Sequence, residues 1–384
     1  MRIAAPVCVL AAVAAVLAPL PAAALPGLSV TVAALPMPAG LDRGAGLRVT
    51  EVGQIVGTAG TRTAPWSRAL SWRLGRVTDL GAGQAVDANV FGHAVGAEQD
   101  TTAPGFVTKA TLWRDGHTVR LVPQAEHSTA VRINDRGEVL VTYRLPGTTG
   151  KRVGVWRRGT VTELAVPGPV PENLDEVVWN AEGQVAGAVR NFQGNEPSYA
   201  FRCDTSGACA RLPALNPEGD QAVLVTGIDR AGQVYGFTVS PAGVHTAVRW
   251  TGDRAVPLPA LTSTSTMVVG ISPHGDYAVG LGTDGDGVPR VLRWHAGQVT
   301  DLGVQPAATL PIAVNDRGDV LVYSITSLTQ VRSWVWRAGR RIDLPTLGGD
   351  HARAYSLNNL GQAVGESRTA DGATVPAVWT LPLV

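Results

Sequence analysis

Charge is scarce in this chain. Asp, Glu, Lys and Arg make up 16% of 384 residues and nearly cancel, to a net +1. That balance excludes the basic footprint of a nucleic-acid binder and the acidic tail of a solvating one. Lysine is almost missing: of 32 basic residues only Lys109 and Lys151 are lysines, an arginine bias of a GC-rich bacterial genome rather than a basic patch. Cysteine is nearly as rare, at three residues. No window carries a sustained apolar period of 3.6, so no helix longer than a turn is expected. A Gly-rich phosphate loop and a G-x-S-x-G elbow are both missing, which removes the commonest nucleotide and serine-hydrolase readings.

Only one long apolar run exists. It follows Arg2, extends from Ile3 to Leu20 and is closed by P-A-A-A. Pro6 and Pro19 break it, and it is short for a membrane span of about 20 apolar residues. The segment 1–24 is therefore expected to be a cleaved secretory signal. Cys8 lies inside the run rather than at its end, so lipid attachment there is not expected. The remainder, 25–384, is expected to be secreted, soluble and off the membrane. Cys203 and Cys209, the two cysteines that remain, read as a disulfide in an exported chain. They are too isolated for a four-ligand zinc site.

What is present in quantity is repetition. Eight times an Asn, Asp, Ser or Thr is followed three residues later by a Gly. The pairs are Thr50 and Gly53, Asn89 and Gly92, Asn134 and Gly137, Asn180 and Gly183, Asp229 and Gly232, Ser272 and Gly275, Asn315 and Gly318, and Asn358 and Gly361. The glycines step along at an average of 44 residues, the last three intervals being 43 each. About twenty residues after each Gly stands a Trp (72, 113, 156, 250, 294, 336, 379) or, in the fourth unit, Cys203. A period of this size means a propeller or a solenoid. The third unit reads as four short strands: A-V-R-I, E-V-L-V-T-Y, R-V-G-V-W and T-V-T-E-L. Its N-x-x-G is a type I turn capped by the polar side chain, and a second tight turn (W-R-R-G) follows the Trp. Calcium loops are not expected here, because the fifth and eighth copies lack the extra acids that six to eight oxygen ligands require.

Four strands per unit predict an all-β, eight-bladed β-propeller, with seven blades as the alternative. The units fall at about 47–81, 82–123, 127–165, 172–213, 222–258, 266–303, 311–345 and 351–384. The last lacks a fourth strand, and L-S-V-T-V-A-A-L at 28–35 resembles the fourth strands V-T-D-L and V-T-E-L. Residues 28–35 are thus expected to complete the last blade and spare the ring an exposed edge. The Trp in register predict a packing layer between units, with an exposed aromatic platform for sugars as the alternative. Cys203, paired across the turn with Cys209, would make up for the missing Trp of the fourth.

The repeat resembles the HAF repeat of bacterial extracellular proteins, a unit of the form L-G-G-x-x-S-x-A-x-x-I-N-x-x-G-Q-V-V-G followed by H-A-F-x-W-x-x-G. The match is best from Leu347 to Gly365, and shows again at Ile133–Gly137, Val314–Gly318 and Tyr199–Phe201. The naming His is replaced here by Arg68, Lys109, Arg152, Tyr199, Thr246, Arg290, Arg332 and Val375. The resemblance implies secretion and a repeat architecture, and no defined chemistry.

In such a ring the first and third turns of every unit lie at one end, and the remaining connections at the other. The first set is short and uniform. The second set varies, at 98–109, 167–176, 190–199 and 282–290, so a binding surface is expected there. Candidate contact residues are His127, Arg190, Phe192, Asp284, Asp286 and His351. His127 and His351 are read as loop residues beside Glu126 and Asp350, which suggests acid–base pairs, and Asp284 with Asp286 suggests a cation loop. His117, His274 and His295 fall in the uniform turns, and His93 and His245 in or beside strands. No catalytic set, metal or cofactor is expected. The reading is a secreted, monomeric binding scaffold for a glycan or protein, with a propeller enzyme acting on a glycan (hydrolase or lyase) as the alternative.

Overall fold

The computed structural model describes residues 29–64, 67–100, 107–168, 174, 177–189, 198–216, 218–261, 265–304, 308–327 and 330–382. Among them there is no helix. Residues 1–24, expected from the sequence to be a signal, lie outside the described residues. Strands drawn from 43–82, 84–120, 127–163, 178–211, 222–257 and 266–304 form six four-stranded antiparallel sheets, each a meander in chain order. Strands from 309–343 and 348–380 form two further antiparallel groups. A single parallel bridge between Arg332 and Ala352 joins them into one eight-stranded sheet. The outer edge of that sheet is Thr31–Ala34, antiparallel to Thr374–Thr380, with Thr31 opposite Thr380 and Ala34 opposite Ala377.

The third sheet shows why these residues make these strands. Its strands are His127–Ile133, Val139–Arg144, Arg152–Arg157 and Thr160–Glu163. All are β-branched-rich, and Val139–Tyr143 is buried on both faces because neighbours cover both sides. The N-x-x-G element is one turn in all eight copies: the Gly N–H donates to the carbonyl three residues back at 2.9–3.2 Å. Each of these glycines has φ between +74° and +95°, where an L side chain is strained. Three residues before the polar starter, the strand carries a one-residue bulge in seven copies, at Leu47, Val86, Val131, Thr226, Val269, Ile312 and Tyr355.

Packing runs between successive groups. One apolar cluster joins the second and third sheets through Leu112, Val139 and Trp156, and another joins the third and fourth through Leu140, Val185 and Phe201. The pattern continues along the chain. The cluster of Val49, Ile55, Leu70 and Trp72 in the first sheet takes Val364 and Val378 from the far end of the chain. Val49 N–H also donates to Ser356 Oγ, and Asn358 Nδ2 to the Thr50 carbonyl, a partner 308 residues away.

Six of the seven repeat Trp are buried, as a packing layer requires. Trp336 is half-buried against a cluster in which Trp334, two residues earlier, is almost fully buried. Cys203 and Cys209 lie directly opposite one another on adjacent strands and are disulfide-bonded.

Candidate functional site

At the loop end, three arginines have a task of their own. Arg68, Arg152 and Arg290 each stand at the start of a third strand, as its first or second residue, and reach an acid on the fourth, eleven residues on. Arg68 Nη2 lies 2.6 Å from Asp79, Arg152 Nη1 2.7 Å from Glu163, and Arg290 Nη1 3.1 Å from Asp301. Glu163 also accepts the Tyr143 hydroxyl at 3.0 Å. Burial, and then the Glu163 carboxylate, push that phenol up to about 12.

Asp284 is committed rather than open. Arg290 donates to its Oδ2 through Nε and Nη2 at 3.1 and 2.8 Å, while the Asp286 and Val288 N–H groups donate to Oδ1. The Arg290 guanidinium and the Val288 N–H hold its carboxyl below the usual range. Of the pair that suggested a cation loop, Asp284 caps its own turn and carries an arginine, and Asp286 is exposed. Among the described residues no three His, Cys, Asp or Glu side chains converge as a metal site would require.

The two histidines expected in loops sit in strands. His127 opens the strand His127–Ile133, opposite Arg144, and lines a shallow recess of about 360 Å³ with Tyr143, Arg144 and Lys151. Its neighbour Glu126 pairs with Arg144. His351 lies within Gly348–Leu357 and is buried. It does not pair with Asp350, which Gln330 and Arg368 bind at 3.0 and 2.6 Å and hold below the usual carboxylate range. Its partner is Glu366 on the next strand, Nε2 to Oε1 at 3.3 Å, and the Tyr355 hydroxyl donates to the same oxygen at 3.0 Å. Burial, and then Glu366, push the Tyr355 phenol well up. Since an ionised carboxylate only accepts, His351 donates through Nε2. Its Nδ1 is buried without a hydrogen-bond partner. Arg190 and Phe192 lie outside the described residues.

Two sets of bonds between units were not anticipated. The turn Asn side chains accept backbone N–H groups within their own turn, but they also donate outward. Asn89 Nδ2 reaches the Asn134 carbonyl, Asn180 that of Asp229 and Asn315 that of Asn358, at 3.2, 2.7 and 3.1 Å. Each is the starter of the next unit. Four Trp donate from Nε1 to a proline carbonyl: Trp250 to Pro213, Trp294 to Pro259, Trp379 to Pro345 and Trp72 to Pro36. Each proline follows a Leu just after an outer strand of the preceding group. The Leu-Pro pairs at 35–36, 212–213, 258–259 and 344–345 were the available signal.

No protein-family model matches the chain, and no curated protein matches it. Solved structures do. The chain is similar to the β-propeller domain of the Trilobed protease from Pyrococcus furiosus, at 11% identity and a TM-score of 0.50, covering 77% of this chain and 94% of that one. It is similar to a post-proline cleaving enzyme from Rickettsia typhi, at 9% identity and a TM-score of 0.51, covering 75% of this chain and 50% of that one. The fold is a β-propeller. At these identities the likeness concerns fold alone, and function has to be argued from the propeller's own residues.

Proposed function

We propose that the chain is an exported propeller of eight HAF-type blades, latched by residues 31–34 as the outer strand of the last blade, which binds a glycan or protein ligand at its loop end. The latch reading is supported by Trp72, which bonds Pro36 after strand 31–34 just as Trp250, Trp294 and Trp379 bond the prolines after other outer strands. The observation that favours binding over catalysis is the commitment of the described loop-end acids: Asp79, Glu163, Asp284, Asp301 and Asp350 are held by arginines, amides or backbone donors. Such groups stiffen a scaffold, and the unlike connections between them supply the contact surface. A thermal-shift screen of chain 25–384 against glycans and divalent cations is the first test, with a protein partner indicated if none shifts it. For a ligand found this way, deleting 190–199 is expected to weaken binding while the ring stays folded. Unchanged affinity after several such loop deletions would remove the reading.

One observation favours an enzyme acting on a glycan: His351, Glu366 and Tyr355 bring an imidazole, a carboxylate and a phenol together. Turnover of any glycan that disappears in Glu366→Gln would move the conclusion to that site.

A further inference from the structure

Four of the large apolar side chains left in solvent stand on linked turns at the turn end. They are Val52 (54% exposed), Leu74 (94%), Phe91 (65%) and Leu360 (49%). Val52, Phe91 and Leu360 each occupy the third position of an N-x-x-G-type turn. The same position elsewhere holds Arg136, Glu182, Ala231, His274 and Arg317. The turns adjoin: Asn359 N–H donates to Glu51 Oε2 at 2.9 Å, and Gln54 Nε2 to the Gly92 carbonyl at 3.3 Å. Arg73, next to Leu74, comes within 3.4 Å of where a Cβ on Gly92 would sit.

Leu74 is the most telling of the four. It has φ +51° at the tip of a tight hairpin, a conformation that disfavours a bulky side chain and suits Asn, Asp or Gly. The matching residues in other units are Asp115, Arg158, Ala296 and Ala338. An almost fully exposed Leu there makes little packing contact inside the fold that would offset the strain.

Charge and connectivity indicate what covers this face. Arg73, Arg76 and Arg114 are exposed beside the apolar tips. Of the nearby acids, Glu51 is engaged by Asn359, Asp115 lies 3.9 Å from His93 Nε2, and Asp135 accepts the Val90 N–H at 3.2 Å. The first described strand, Thr31–Ala34, starts at this same end. Thr31 pairs with Thr380, and Leu381 N–H bonds the Gly361 carbonyl beside Leu360.

We propose that this corner of the turn end is a membrane-docking face. Val52, Leu74, Phe91 and Leu360 enter the headgroup boundary of an anionic bilayer, and Arg73, Arg76 and Arg114 meet the lipid phosphates. It departs from the expectation that the exported chain keeps off membranes. The four apolar residues are scattered from 52 to 360 and meet only through the fold. This proposal is independent of the loop-end reading, since it concerns the opposite end of the ring.

The test uses chain 25–384, which retains every described contact. It is expected to co-sediment with vesicles of phosphatidylcholine containing phosphatidylglycerol, and at least tenfold less well with phosphatidylcholine alone. Leu74→Asp with Phe91→Asp is expected to lower binding at least tenfold with an unchanged melting temperature. Arg73→Gln, Arg76→Gln and Arg114→Gln together are expected to abolish the preference for the anionic lipid. An environment-sensitive dye on Phe91→Cys is expected to shift blue on vesicle addition, and on Asp286→Cys at the loop end to stay unchanged. The proposal is overturned by lack of sedimentation with either lipid, by binding indifferent to the Asp variants, or by an equal shift of both dyes. Light scattering that shows a dimer dispersed by the Asp variants, without vesicle binding, overturns it in favour of a second copy of the chain.

Discussion

At the turn end, the residues that recur send their polar atoms into the next unit. Asn89, Asn180, Asn315 and Asn358 donate to the carbonyl of the following turn, and four Trp reach back to a proline of the preceding unit. At the loop end, Arg68, Arg152 and Arg290 pair only with acids of their own unit, and both partners stay part-exposed. Side chains that bridge units are bound to the period, because a change in one leaves a buried group unsatisfied in its neighbour. Side chains that pair within a unit can vary, and the loops beside them vary most. Cohesion at one end thus leaves sequence freedom at the other.

The largest contrast lies within the Trp layer. Trp379, fully buried, is expected to cost about 3–5 kcal/mol on replacement by Ala. Partly buried Trp336 is expected to cost less, roughly half of that, since less apolar area returns to water. Urea unfolding of both variants measures the difference; equal costs would deny that burial in the inter-unit layer decides them.

Next comes the contrast between the two ends. Asn358→Ala removes the buried donor to Thr50 and the part-buried acceptor for Gln362 N–H, and is expected to cost about 2–3 kcal/mol. Arg152→Ala at the loop end breaks a part-exposed pair and is expected to cost less than about 1 kcal/mol. The same unfolding measurement ranks them, and a reversed order breaks the comparison.

The fold was legible in the sequence because the features that specify it repeat. The Gly needs positive φ, the Trp needs a partner layer, and both recur at a spacing that no helix would give. The site was less legible. Asp284 read as a cation ligand because its sequence neighbour is Asp286, whereas its partner, Arg290, stands across a hairpin. His351 read as a partner of Asp350 for the same reason, though in a strand adjacent side chains point to opposite faces and the same-face neighbour is on the next strand. The turn Asn was read only as a cap, because one half of its amide explains the turn and the other half acts on a unit some forty residues away.

The smallest contrast is at Asp229, which stands where other turns have Asn and has no amide to donate. Burial raises its carboxyl above the ordinary range, against the N–H groups and Tyr235 that oppose it. A carboxyl raised in the folded state holds its proton longer there than in the unfolded chain. Stability therefore falls as pH rises through that interval, and the cost is complete above the folded value. Asp229→Asn is expected to stabilise by about 1 kcal/mol at pH 7. The gain should vanish as the pH falls below the ordinary carboxylate range. Melting temperatures at pH 3 and 7 test it; a gain equal at both would rule out titration as its source.

The pairing of Asn358 with Thr50 has a consequence in time. The two partners are 308 residues apart. At a synthesis rate of roughly 5–20 residues per second, the first unit waits on the order of 15–60 s for its last neighbour to exist. Through that interval one side of the first sheet and the strand 31–34 lack their native cover, so the chain's exposure to aggregation is set by how long its two ends take to meet.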